Sequence, residues 1–285
     1  MERETALNGW LVVDKPVGPT SAQVVGKLKW ALRNGGHGKP KIGHGGTLDP
    51  LASGVLPIAL GEATKLAGYL LNGPKAYRFT LAFGAATATD DAEGAIVATS
   101  DVRPDAAAIA AVLPAFTGPI RQRPPAYSAL KVDGERAYAL ARAGEAVELA
   151  EREVTILQLT CESVEADAAT FHVRCTKGTY VRSLARDLAL ALGSVGHVSA
   201  LRRTEAGPFR LEQALSLDKC VEVVHGPAPE QALLPLTAGL DDIPVLTVDP
   251  QEAAALKQGR RILRPRVKPG QYIATLGPVP VALVE

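Results

Sequence analysis

Hydrophobic positions along this chain switch repeatedly between alternation and helical spacing. Leu11-Val12-Val13 predicts a short strand that runs into a Pro/Gly turn over Asp14–Thr20. Thr20 or Ser21 can cap a following helix, because Val24, Val25, Leu28 and Leu32 recur on one helical face. Residues 34–46 hold Gly35, Gly36, Gly38, Gly43, Gly45 and Gly46 and read as loop. Over Ala76–Phe83, Tyr77, Phe79 and Leu81 alternate with Arg78 and Thr80, the pattern of a half-buried strand. Thr87–Gly94 reads as an exposed acidic loop, and the Ala-rich stretch Asp105–Phe116 as a helix. The segment 121–145 opens Pro-rich and turns helical over Glu135–Ala143, with Gly144 as its stop. A second strand is predicted over Phe171–Val181, where Phe171, Val173 and Cys175 alternate with His172, Arg174 and Thr176. The helix after it presents Leu184, Leu188 and Ala191/Leu192 on one face and ends at Gly193. Thr237–Pro250 has linker composition. Beyond it come a short helix, the basic run Arg260–Lys268 and strands near Tyr272–Leu276 and Val279–Val284.

No internal repeat and no regular βαβ alternation organises these elements. The predicted class is therefore α+β: a large unit over residues 1–240, interrupted at about 121–145, and a small β-rich module over 245–285. Composition narrows the class further. With 285 residues, 47% apolar and 21% charged, the chain can fill a sizeable core and is not disordered. No stretch approaches the roughly 20 apolar residues of a membrane span, and the first ten residues lack a secretory pattern. A cytoplasmic protein is expected. Cys161, Cys175 and Cys220 are scattered and form no CxxC pair, which argues against a disulfide framework or a thiolate metal site.

Charge changes the picture once the chain is divided. The net charge is only +1, yet residues 1–80 carry 10 Lys+Arg against 5 Asp+Glu, 171–210 carry 7 against 2, and 251–285 carry 6 against 2. Basic blocks separated by acidic ones suit a molecule with one cationic face for a polyanion such as RNA; they suit ordinary solvated surface equally.

The stretch richest in chemical signal is GHGGTLDPLASGVLPIALGEATK, Gly43–Lys65. Asp49 is the only acidic residue between Asp14 and Glu62. A carboxylate in such apolar text caps a turn, sits exposed on a loop, or is held in a pocket by a cation, and the Asp-Pro pair by itself favours a turn. The glycines allow close backbone approach to a ligand, but no Gly-Lys-Ser/Thr follows as a Walker loop requires. Locally, Tyr77 and Tyr180 read equally as core aromatics, and Arg182 could pair with Asp187. His44, with His37 seven residues earlier, could satisfy loop backbone or, less readily, hold a metal.

The whole string, however, resembles the catalytic motif of the TruB family of tRNA pseudouridine synthases, with the Asp-Pro, Val-Leu-Pro and Gly-Glu-Ala-Thr-Lys in register. The resemblance continues in family order through LVVDKPVGPTS (Leu11–Ser21), Lys75-Ala-Tyr-Arg78, Pro124-Pro-Ala-Tyr-Ser-Ala-Leu-Lys131, Lys177-Gly-Thr-Tyr-Val-Arg182 and Leu201-Arg-Arg203, about residues 8–210. It implies a mixed-sheet synthase domain with an RNA-gripping insertion near 121–145, followed by a short RNA-binding module of PUA type. It implies Asp49 as the catalytic aspartate and His44, Tyr77, Tyr180, Arg182 and Leu201 as substrate-binding residues. The implied reaction turns the T-loop uridine (position 55) of tRNA into pseudouridine. It needs no cofactor, metal or guide RNA, and the implied enzyme is a monomer. Elementary chemistry agrees, since a base that must leave N1 and rejoin through C5 has to be flipped from its stack and gripped. Two departures stand out. Gly45 occupies a position where the family more often has Thr, and Asn34–Pro40 lengthens the approach to the motif.

Overall fold

The computed structural model describes residues 7–128, 130–132, 135–137, 140, 149–240 and 243–285. Alternation along the first strand sets up both faces of a central sheet. In β1 (Gly9–Lys15), Leu11 and Val13 join a cluster beneath helices, while Trp10 and Val12 enter a second cluster with Phe209. Helix α1 (Ser21–Asn34) starts with a capping box: the Thr20 hydroxyl accepts from the Gln23 amide at 3.1 Å, and the Gln23 side chain accepts from the Thr20 amide at 2.7 Å. Thr20, not Ser21, is thus the cap, and Val24, Leu28 and Leu32 are buried as the spacing predicts.

The other elements of the large unit are β2 (Ile42–His44), β3 (Ala52–Leu60), α2 (Ala67–Asn72), β4 (Lys75–Phe83), β5 (Ala85–Thr87), β6 (Ile96–Thr99), α3 (Ala106–Val112) and β7 (Gly118–Gln122). After β8 (Lys131–Val132) and β9 (Glu135–Arg136) come β10 (Arg152–Val164), β11 (Ala168–Cys175), α4 (Val181–Ala191), β12 (Gly196–Ala206), β13 (Phe209–Arg210), β14 (Leu215–Ser216) and α5 (Leu217–His225). Among the described residues the main sheet has ten strands in the order β14-β1-β3-β12-β4-β11-β10-β7, with β2 added to β3 and β13 to β12. The β1–β14 and β3–β12 pairs are parallel, so the sheet is mixed.

Two helical layers cover one face of this sheet. Helices α1 and α5 bury Leu28, Leu32, Cys220 and Val224 against Leu11, Val13, Leu56 and Ile58. Helix α4 buries Val181, Leu184 and Leu188 against Phe79, Leu81, Phe171 and Val173. Tyr77 and Leu201 border both clusters, on the seam between the two halves.

Several strands depart from the expected pattern. Phe171–Val181 stops being strand at Cys175, because Thr176–Tyr180 turn through Gly178 at φ +84° and α4 begins at Val181. Strand β3 was not expected; it is buried along nearly its whole length and shows no alternation. In β10 the buried residues run Val154, Ile156, Leu159, with a register shift between Ile156 and Gln158 that breaks the two-residue period. Thr87–Gly94 is not simply exposed, since Thr87 and Asp91 are buried. The helix expected over Glu135–Ala143 falls mostly outside the described residues, though Glu135–Arg136 pairs antiparallel with Lys131–Val132.

The C-terminal module contains β15 (Val245–Thr247), α6 (Pro250–Lys257), β16 (Tyr272–Leu276) and β17 (Val279–Val284), packed around its own cluster of Val248, Ala253 and Ala274. Its helix is capped by Asp249, whose carboxylate accepts from the amides of Gln251 and Glu252 at 2.8 Å each.

Candidate active site

Asp49 stands on the loop between β2 and β3, and four sets of contacts fix that loop. The Gly45 amide donates to the Pro57 carbonyl at 2.8 Å, and the Ala52 amide closes the turn on the Asp49 carbonyl at 3.1 Å. Ser21 bonds both backbone groups of Leu48, donating to its carbonyl at 3.1 Å and accepting from its amide at 2.9 Å. Arg203, 2% exposed, holds the loop backbone: it donates to the carbonyls of Val55 (2.8 Å), Gly46 (3.1 Å) and Thr47 (3.3 Å). Gly46 lies at φ +131°, where a side chain would be strained. Lys15, fully buried, donates to the Pro16 carbonyl at 2.8 Å and the Pro50 carbonyl at 3.4 Å. Burial lowers its pKa, and the negative charge of Asp49 opposes that shift.

The Asp49 side chain is 44% exposed and ends 2.9 Å from Arg182, which is 8% exposed. Arg182 comes from the second position of α4, so the Thr176–Tyr180 turn sets where it points. The other arm of its guanidinium meets Asp91, 5% exposed, at 3.3 Å. It also donates to the carbonyls of Thr89 (2.9 Å) and Tyr127 (3.1 Å). Asp91 is in turn held by the Thr89 hydroxyl at 2.5 Å and the Glu93 amide at 3.0 Å. One buried cation therefore bridges a buried carboxylate and a solvent-facing one.

A cavity of about 220 Å³ opens beside this pair, walled by Tyr77, Tyr180, Leu201, Ala52, Leu48 and Ser128. Strand β12 lies between β3 and β4, pairing Leu201 with Ala52 on one side and Arg203 with Tyr77 on the other. Burial raises the Tyr77 phenol above its usual range, and Arg203 acts in the opposite direction. Gln122 anchors Tyr180, accepting from its amide at 3.1 Å and donating to its carbonyl at 3.3 Å. The Arg152 guanidinium lies 4.7 Å from the centre of the Tyr180 ring and donates to the Gly178 carbonyl.

Of the residues expected to form the site, Asp49, Tyr77, Tyr180, Arg182 and Leu201 converge on this cavity. His44 does not line it; it ends β2 at the start of the loop, half-buried, with Nδ1 buried and no hydrogen-bond partner among the described residues. Burial, and then Arg203, lower its pKa. His37 turns elsewhere, with Nε2 2.7 Å from the Gly226 carbonyl. Asp91 and Ser128 are not among the expected site residues; Arg203, carried by the Leu201-Arg-Arg203 motif, lies buried against the catalytic loop and does not line the cavity. The signal for Asp91 was an acidic residue set among Thr87, Thr89 and Gly94, a stretch that reads as solvated until Arg182 is placed against it.

Residues 34–181 match the profile of the TruB family pseudouridylate synthase N-terminal domain, and residues 182–241 that of the tRNA pseudouridylate synthase B C-terminal domain. The chain belongs to the TruB family. It is a tRNA pseudouridine synthase, an isomerase. The tRNA pseudouridine synthase B of Novosphingobium aromaticivorans is 57% identical, over 98% of this chain and 93% of the relative. That of Zymomonas mobilis is 54% identical, over 98% and 92%. Among solved structures, a Cbf5-Nop10-Gar1 complex aligns with a TM-score of 0.75 at 30% identity, over 97% of this chain and 78% of the matched one. An H/ACA RNP bound to a substrate RNA containing 2'-deoxyuridine aligns at 0.74 and 27%, over 98% and 78%. In this TruB chain the Asp49–Arg182 pair sits at the seam of the mixed sheet, beside Tyr77 and Leu201. No helix among the described residues is long and apolar enough to cross a membrane.

Proposed function

We propose that this synthase isomerises the T-loop uridine (position 55) of tRNA, as a monomer in the cytoplasm without guide RNA or cofactor, and that Asp49 is its catalytic carboxylate. The observation that carries this reading is the Asp49–Arg182 pair, 2.9 Å apart, at a cavity flanked by two tyrosines. An aspartate is ordinarily the carboxylate at neutral pH, the species able to act as nucleophile or base. Arg182 orients it through one guanidinium arm while Asp91 holds the other, so Asp49 keeps an open side toward a ligand.

The chemistry asks for a base released from its stack, turned, and rejoined to the ribose through C5. Tyr77 offers the flipped uracil a flat face, and Leu201 closes the apolar side of the pocket. Tyr180 is set to pack on the opposite edge, steadied by Gln122 and Arg152. His44, at the hinge of the loop, is suited to meet the RNA backbone as the nucleotide swings in. Residues 1–240 would form the catalytic domain, with 121–145 gripping the RNA, and 245–285 an RNA-binding module. The T-loop target and independence from a guide rest on the motif resemblance, and the high identity to two tRNA pseudouridine synthase B enzymes supports them.

Mapping pseudouridine in an unmodified tRNA transcript treated with the purified protein alone tests the reading. It predicts one modified site, at the T-loop uridine, and none in a transcript carrying cytidine there. Modification elsewhere would overturn the target, and a requirement for a second RNA would overturn independent action.

A further inference from the structure

The solvent side of α1 carries Lys29, Trp30 and Arg33, and the chain then returns through Lys39 and Lys41 to β2. Between Asp14 and Asp49 the sequence has six Lys/Arg (Lys15, Lys27, Lys29, Arg33, Lys39 and Lys41) and no acid. Lys15 is buried and Lys27 pairs with Asp218 on α5 at 2.9 Å. Lys29, Arg33, Lys39 and Lys41 have no ion-pair partner among the described residues. Trp30, between Lys29 and Arg33 in sequence, is 61% exposed, a large flat ring left in water. The loop is folded back on the helix end by bonds from the Gly36 amide to the Arg33 carbonyl (3.2 Å) and from the His37 amide to the Leu32 carbonyl (3.0 Å). Lys39 and Lys41 therefore follow directly from the Arg33 end of the helix.

The helix that carries this surface starts at the catalytic loop. Helix α1 lies on the same face of the sheet as α4, with the Tyr77–Leu201 seam between them, and Ser21 at its first turn holds the loop of Asp49. Its 14 residues extend about 21 Å from that contact, further than one flipped nucleotide reaches. Unpaired cations around an exposed aromatic make the footprint expected for RNA, in which cations meet phosphates and the ring stacks on an unpaired base of any sequence. An acidic protein surface would use the cations but leave the indole without its flat partner.

We infer that the exposed face of α1, continued by Lys39 and Lys41, is a second docking surface that holds the tRNA outside its T-arm. This rests on the T-loop target proposed above, because a T-arm seated at Asp49 leaves the rest of the tRNA to extend over neighbouring surface. The surface does not touch the reacting base. Its contribution is to affinity for the intact tRNA, and so to KM.

The test compares full-length tRNA transcript with an isolated T-arm hairpin, using the whole protein and the variants Lys29→Gln/Arg33→Gln and Trp30→Ala. All three side chains are exposed, so thermal unfolding should be unchanged. For intact tRNA, each variant should raise Kd and KM about tenfold with kcat unaltered, as loss of two phosphate contacts or one stacked base implies. The salt dependence of binding should flatten by about 1.5 in the log–log slope for the double variant. Hairpin turnover should not change. Unaltered affinity for intact tRNA in both variants would overturn the inference and leave the face to an acidic protein. Equal loss on hairpin and tRNA would overturn it too, placing α1 in the T-arm site. Failure of the wild-type protein to modify the hairpin would count against the T-loop target instead, and the salt slope on intact tRNA would still decide the surface.

Discussion

Arg182 sits between two carboxylates of different character, and that asymmetry organises the site. Asp91 is buried and bonded on every side, whereas Asp49 faces the cavity. Asp91→Asn removes a buried charge from a cation that cannot leave, and Asp49 remains as its partner. The expected cost is about 3 kcal/mol of stability, the lower end for breaking a buried pair, with kcat falling more than KM rises. Denaturant midpoints and steady-state kinetics on one preparation check it. His44 gives a pH prediction. Its pKa in the folded protein is below the ordinary 6.5, so under pH 6.5 the unfolded chain takes up a proton that the native chain does not. Stability should therefore fall as pH drops below 6.5, and His44→Gln should lessen that slope. A wild-type and variant pair with identical slopes from pH 7.5 to 5 would contradict it. Five of the six expected site residues converge on one cavity, and His44 is the exception. Asp91 was not legible, since its partner lies 91 positions further along the chain in a separate helix.

At the level of elements, the legible parts were those with a clean period. Strand β4 alternates as expected, α1 buries Val24, Leu28 and Leu32, and α4 buries Leu184 and Leu188 but leaves Ala191 exposed at its end. Strand β3 was hidden because burial on both faces removes alternation, and β10 and β12 because register shifts interrupt it. Strand β12 also holds Arg203 fully buried, against the rule that a guanidinium faces water. Its bonds to the Val55, Thr47 and Gly46 carbonyls tie β12 to β3 and to the catalytic loop. Arg203→Ala would leave those carbonyls unpaired in a cavity, each at about 1–3 kcal/mol, and should unfold the loop or the domain. Arg203→Lys keeps the charge but cannot span three acceptors, and should fold while losing at least about tenfold in kcat. A lysine variant with full kcat would show that the loop does not depend on this tie.

For the molecule as a whole, the sequence indicated a large mixed unit followed by a small β-rich module, and the described structure has that layout. What could not be read was the strand order, because β3 pairs with β12 across some 150 residues and no local signal records it. The module has its own small apolar cluster, and its basic run holds Arg260, Arg261, Arg264, Arg266 and Lys268. A protein lacking 245–285 is expected to bind tRNA several-fold more weakly at physiological salt while its kcat stays near that of the full chain. Filter binding beside single-turnover kinetics checks this, and a truncation with unchanged affinity would remove RNA binding from the module's roles.

The measurement that bears most directly on Asp49 is tritium release from a tRNA transcript labelled at uracil C5, with the wild-type protein and with Asp49→Asn. If Asp49 is the catalytic carboxylate, the wild type releases about one label per tRNA and the variant none, while the variant still folds and binds tRNA. Release by Asp49→Asn at a comparable rate would contradict it and move the chemistry to another group in the cavity.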